Sequence, residues 1–166
     1  MNKICGVLSQ RVSVMRGENS SQYLSRLYPI FVNDFKINHP TFKGKNVLFN
    51  TLPITHGYEE AFFHMTHVDI DKAGFENRQI DYARSECIHW ITEILNAHPC
   101  RDISCNGIKV WRVNKRIHIL CEKERFLFVI EKRNNYYMFV SSFILNFARS
   151  LQEKLKQYER YKGCPL

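Results

Sequence analysis

This sequence predicts an α+β fold, with N-terminal helices packed on a roughly four-stranded antiparallel sheet and a C-terminal helix, and three patterns predict it. Apolar residues recur at helical spacing between residues 20 and 39 and again between 78 and 97. The period then changes to two over four runs between Ile108 and Leu145, and an amphipathic helical pattern closes the chain. Helices first and a strand meander later is the α+β order. With 166 residues and 45% hydrophobic content, the chain can bury one good core. A single structural domain is therefore expected, divided into an N-terminal arm and helix over 1–40 and a core over 41–166.

Residues 1–18 lack periodicity and read as an arm or loosely attached element. Asn19 or Ser20 then caps a helix in which Tyr23, Leu24, Leu27, Ile30, Phe31 and Phe35 share a face. Pro29 kinks or splits this helix, and His39-Pro40 stops it. Asn46–Phe49 is a short strand, Pro53 to Gly57 a turn, and Glu59–Thr66 an extended piece. Asp69–Gly74 reads as a loop whose aspartates cap their own backbone. The strongest helix runs from about Arg78 to Ala97, capped by Asn77, striped by Ile80, Ala83, Cys87, Ile88, Ile91, Ile94 and Leu95, and ended by His98-Pro99. Ile108–Val113, Lys115–Cys121, Arg125–Glu131 and Tyr136–Leu145 are four strands joined by hairpin-length turns. Phe147 to about Tyr161 is the closing helix, with Leu151, Leu155 and Tyr158 on one side.

Charge is distributed unevenly. Residues 1–100 hold ten Lys+Arg against ten Asp+Glu, whereas residues 101–166 hold fourteen against six, so the whole net charge of +8 falls on the strand-rich end. Cations placed along pleated strands put every second one on the same face, and such a face attracts a polyanion, with nucleic acid the leading partner. Cations that merely solvate a strand face produce the same count. Lys123, Arg125, Lys132, Arg133 and Tyr137 are the candidate RNA contacts. No run approaches the ~18 apolar residues that span a bilayer, so a soluble cytoplasmic protein with no membrane partner is expected.

The six cysteines are irregularly spaced without a CxxC pair and read as reduced thiols. His89, His98, Cys100 and Cys105 form an incomplete zinc set with looser spacing than structural sites use, and no metal or other cofactor is expected. No phosphate-binding glycine loop, nucleophile elbow or HExxH motif is present. Among seven histidines, His64 is set apart by its run Phe62-Phe63-His64-Met65-Thr66, where desolvation keeps an imidazole neutral and fit for proton transfer. A hydrogen-bonded core histidine fits the same pattern. Adjacent Ser141 and Ser142 point to opposite faces of a strand, so one can touch a phosphate while the other packs, or both can bond backbone groups.

In chain order, Phe63-His64-Met65-Thr66, Arg84-Ser85-Glu86-Cys87-Ile88-His89-Trp90-Ile91, Lys109-Val110-Trp111, Arg125–Arg133 and Tyr137–Phe143 resemble the phage-associated barnase/EndoU/colicin/RelE-like (BECR) nucleases over roughly residues 45–160. The resemblance implies that the 41–166 core is a small bacterial α+β nuclease, toxin-like and cytoplasmic, cleaving RNA without a metal. It implies RNA as substrate, with tRNA among the candidates, and an antitoxin or immunity protein as partner. Carried over by position, His64, Arg84 and Ser141 are the catalytic residues. Ser141 stands where the family has threonine, Ser142 where it has alanine, and Cys87 where it has a second arginine, which removes a cation. Such cleavage uses the ribose 2′-OH as nucleophile, with His64 as base or acid, Arg84 on the phosphate oxygens aided by Lys132 or Arg133, and Ser141 orienting the phosphate. Lys123, Tyr137 and His118 are candidates for the complementary acid. Two other readings fit the sequence: a non-catalytic RNA-binding module stacking bases on Tyr136, Tyr137, Phe126 and Phe128, and an immunity-type domain whose basic face meets an acidic protein.

Overall fold

The computed structural model describes residues 5–70, 78–100 and 105–166. Helix α1 (Ser20–Phe31) opens on a capping box: Asn19 accepts from the Gln22 N–H at 2.9 Å, and the Gln22 side chain accepts from the Asn19 N–H at 3.0 Å. It continues through Pro29 and widens into a π-helical turn at Val32–Ile37. Next come β1 (Thr41–Phe42), β2 (Lys45–Leu48), and the hairpin β3 (Ile54–Thr55) and β4 (Tyr58–Glu59). His56 at φ 51 and Gly57 at φ 84 turn that hairpin, a type I′ pairing that glycine adopts without strain.

Helix α2 (Glu60–Thr66) follows, where an extended piece was expected. Six of its seven residues are buried, so it has no polar face to betray a helical period. Strands β5 (His67–Asp69) and β6 (Arg78–Ile80) pair antiparallel, with Arg78 opposite Asp69. The expected helix therefore does not begin at Arg78. Asp81 caps it instead, accepting from the Arg84 N–H at 3.1 Å, and it runs as α3 (Tyr82–Ser85), a tight turn, then α4 (Trp90–Ala97). The expected Asn77 cap and residues 71–74 of the expected loop lie outside the described residues, while Asp69 belongs to β5.

Strands β7 (Ile108–Val113), β8 (Arg116–Cys121), β9 (Phe126–Lys132) and β10 (Tyr137–Ile144) form the expected meander, and α5 (Ala148–Tyr161) ends the fold. The sheet has six strands rather than four, in the order β1-β2-β10-β9-β8-β7. Strand β2 joins β10 in parallel through Tyr137↔Val47 and Met138↔Leu48. Val47 is fully buried by that join, and the open edge of the meander supplies the hydrogen bonds a lone strand lacks.

Each face of the sheet carries helices. Phe126, Phe128 and Ile130 of β9 point into the main core with Tyr23, Leu27, Phe31, Phe62, Ile91 and Ile94. Leu127, one residue out of phase, packs with Trp111, Leu120 and Leu145 under α5. Helix α1 thus shares the core of the strands. The N-terminal segment is held too, contrary to the loose arm expected: Trp90 Nε1 donates to Ser9 O at 2.9 Å, Val12 N to Glu86 O at 2.8 Å, and Tyr23 Oη to Val12 O at 3.0 Å. Among the described residues no helix is long and apolar enough to cross a membrane.

No continuous basic face forms on the central strands, because apolar side chains of β8 and β9 pack on both sides of the sheet. Lys109 and Arg112 lie within the edge strand β7, and other cations sit at strand ends. Lys123 and Arg125 lie at one end of β9 and Lys132 and Arg133 at the other, where Lys132 Nζ donates to Leu166 O at 3.0 Å and Arg133 pairs with Glu131 at 3.0 Å.

Candidate functional site

The site forms where β2 stops. Beyond Met138 this edge of β10 has no strand neighbour among the described residues, and α2 and α3 pack against it. A β-bulge between Phe139 and Ser141 sets which side chains arrive there. Phe139 opposes Ile130 on the main-core face, and the extra residue puts Ser141 opposite Val129 on the other face, so Ser141 and Phe143 turn outward. Ser142, opposite Phe128, is buried. The two serines therefore divide as expected, one packed and one presented.

His64, Arg84 and Ser141 meet in one cleft of about 260 Å³, lined also by Phe63, His67, Val68, Asp69, Arg78 and Phe143. Helix α2 carries His64, the chain leaves the helix at His67, the first residue of β5, and both line the cleft. Helix α3 carries Arg84. This guanidinium is only 7% exposed. Its Nη1 donates to His67 O at 2.8 Å and to His64 O at 3.3 Å, so it ties the two histidine backbones together. Its Nε lies 3.4 Å from Asp81 Oδ2 but finds no aligned acceptor among the described residues, and Phe143 covers its face at 5.2 Å. Burial pulls the Arg84 pKa below its usual value. A buried cation so incompletely answered favours an incoming anion.

His67 was missed in the sequence, because its place beside the cleft depends on α2 ending at Thr66 and β5 beginning at His67. Its tautomer is fixed by neighbours. The Thr66 hydroxyl donates to Phe62 O at 2.6 Å, so its oxygen must accept from His67 Nδ1–H at 2.7 Å, leaving Nε2 with its lone pair. Burial first, then Arg78 and Arg84, push His67 down to about 4. His64 is lowered by burial, with Glu60 opposing; its Nε2 lies 3.1 Å from Glu60 Oε1. Arg78 grips Glu60 through both terminal nitrogens, at 2.8 and 3.1 Å, and Asp69 through Nε at 2.9 Å, bringing a second cation to the cleft wall.

The remaining candidates lie elsewhere. Tyr137 is 4% exposed with its ring against Phe42 at 5.3 Å, so it offers no face to a base. Phe126 and Phe128 are buried likewise, which leaves the half-buried Tyr136 as the one of the four stacking candidates with an accessible ring. Lys123 and Arg125 line a separate depression with Cys105 and Glu122, and neither they nor Lys132 and Arg133 line the cleft. Cys87 packs in the core, its thiol pushed up to about 12, so its side chain does not line the cleft either. Among the described residues no three His, Cys, Asp or Glu side chains group to hold a metal ion, so the set around His98 and Cys100 does not assemble.

His118, a candidate acid, stacks on Trp111 at 5.1 Å and is lowered to about 4, by burial first and then by Lys154 and Arg116. The fold thus keeps His67 and His118 neutral down to about pH 4, whereas an unfolded histidine takes a proton near 6.5. Stability contributed this way is present above 6.5 and lost as pH falls toward 4. Thermal unfolding should show a melting temperature lower at about pH 4.5 than at about pH 7 by on the order of 5 °C, and His118→Gln should shrink that fall.

No protein-family model, curated protein or solved structure matches this chain.

Proposed function

We propose that this chain is a metal-independent endoribonuclease of the BECR type, cutting RNA by attack of the ribose 2′-OH on the adjacent phosphate. The observation that carries the reading is the single cleft lined by His64, His67, Arg84 and Ser141. Arg84 holds the phosphate and, being buried before substrate arrives, needs no reorganisation as charge builds on the phosphorane. Ser141 orients a non-bridging oxygen. His67, whose Nε2 lone pair is set by Thr66, takes the 2′-OH proton. His64, whose protonated form Glu60 favours, gives a proton to the departing 5′-oxygen. The phosphate itself raises both imidazole pKa values on binding. RNA as substrate, tRNA among the candidates, a toxin-like role and an antitoxin or immunity partner belong to the same proposal.

Incubating the pure protein with mixed RNA in EDTA should yield fragments ending in 2′,3′-cyclic phosphate. RNA left intact between about pH 5 and 7.5, the range in which imidazoles exchange protons, overturns the reading.

A further inference from the structure

The cleft is too small for a nucleotide. At about 260 Å³ it takes a phosphate and part of a sugar, below the roughly 300–1,000 Å³ of small-molecule sites. The substrate must therefore continue into a neighbour. A groove of about 450 Å³ between α5 and strands β8 to β10 shares Ser141 and Phe143 with the cleft. Strand register explains the junction: His118, Val129 and Ser141 stand in one row across β8, β9 and β10, and Leu127 and Phe143 in another. With strands about 4.8 Å apart, His118 lies roughly 10 Å from the Ser141 backbone.

The groove has the chemistry of a nucleotide site. Leu127, Val129 and Leu145 give it an apolar floor, and Phe143 and the 74% exposed Phe147 both line it. Arg116 and Lys154 line it, and neither has an ion-pair partner among the described residues. Its one carboxylate, Glu153, is already matched by Arg149 at 3.0 Å. His118, 9% exposed, contributes a ring whose Nδ1 lacks a hydrogen-bond partner among the described residues. The depression beside Tyr58 and His56 offers, among the described residues, only Arg78 as a cation, and that is engaged by Glu60 and Asp69.

We infer that the α5 groove binds the RNA nucleotide next to the phosphate held at Arg84, its base against Phe143 and Phe147 and its phosphate at Arg116 and Lys154. This rests on RNA being the ligand of the cleft, and it assigns the groove a binding role that does not require cleavage.

The test is fluorescence anisotropy with an uncleavable 2′-O-methyl hexaribonucleotide between about 50 and 200 mM salt. The wild-type protein should bind. The Arg116→Ala/Lys154→Ala protein should lose at least about tenfold in affinity, and its log–log salt slope should be shallower by roughly 1.4, two cations at about 0.7 each. Lys43→Ala/Lys45→Ala, exposed and outside the groove and the cleft, should change affinity less than about twofold. Equal loss from both pairs, unchanged affinity in the groove variant, or no binding by the wild type overturns the inference. Cleavage of RNA alongside unchanged affinity in the groove variant sinks the groove and spares the nuclease. Loss of affinity in the groove variant with no cleavage by any form sinks the nuclease and spares the groove.

Discussion

His67→Ala is expected to lose RNA cleavage by on the order of 10²–10⁴-fold while the protein remains folded, and His64→Ala to lose a similar factor. Both side chains reach the same cleft, and neither belongs to the hydrophobic core cluster. The roles also fix a pH profile. His64 must carry the proton it donates, and burial holds its pKa below the ordinary 6.5. Cleavage should therefore peak on the acidic side of neutrality and decline as pH rises through the imidazole range near 6.5. His67 accepts a proton only while neutral, which sets the fall on the acid limb, toward the value of about 4 it has in the free protein. Single-turnover cleavage by the two alanine variants, followed across pH, checks both roles. Full activity in His67→Ala would remove it as the base, and a wild-type rate that keeps climbing above neutrality would contradict the assignment of His64 as acid.

Arg84→Lys is expected to cost about 10²–10³ in cleavage rate, the scale of losing one preorganised donor to a developing oxyanion. Lysine keeps the charge but not the planar fork, so it cannot hold the His64 and His67 carbonyls and still meet phosphate oxygens. The loss should exceed any change in melting temperature by far, because Asp81 still caps α3 through the backbone. Cleavage kinetics beside thermal unfolding of the same preparation checks this. Wild-type rates in Arg84→Lys would show that the phosphate is held elsewhere.

What could be read from sequence was whatever local patterning dictates. Ile108–Val113 matches its predicted span residue for residue, and α5 begins one residue after its expected start, because strand alternation and an amphipathic stripe survive without context. Helix α2 left no such trace. Residues buried on all sides, Phe62, Phe63 and Met65 among them, look alike in a strand and in a helix, and with α2 read as extended, His67 could not be placed beside His64. Strand β6 was hidden by the helical spacing that Ile80 shares with Ala83 and Cys87, and only its pairing with β5 makes it a strand. Cation placement escaped for a different reason: a count of Lys and Arg does not reveal that Phe126, Leu127 and Phe128 occupy both faces of the central β9 and keep charge off it. The resemblance names His64, Arg84 and Ser141 as one catalytic set, and all three line the cleft.

The cleft draws one wall from residues 63–69, Arg78 and Arg84 and the other from Ser141 and Phe143. During synthesis these walls leave the ribosome separately. At roughly 5–20 residues per second, the 57 residues from Arg84 to Ser141 take about 3–11 s. For that interval the nascent chain carries its histidines and arginine with nothing opposite them, and a chain cut short before β10 never completes the pair. On the proposed reading, a nascent chain has no complete site until β10 has been made.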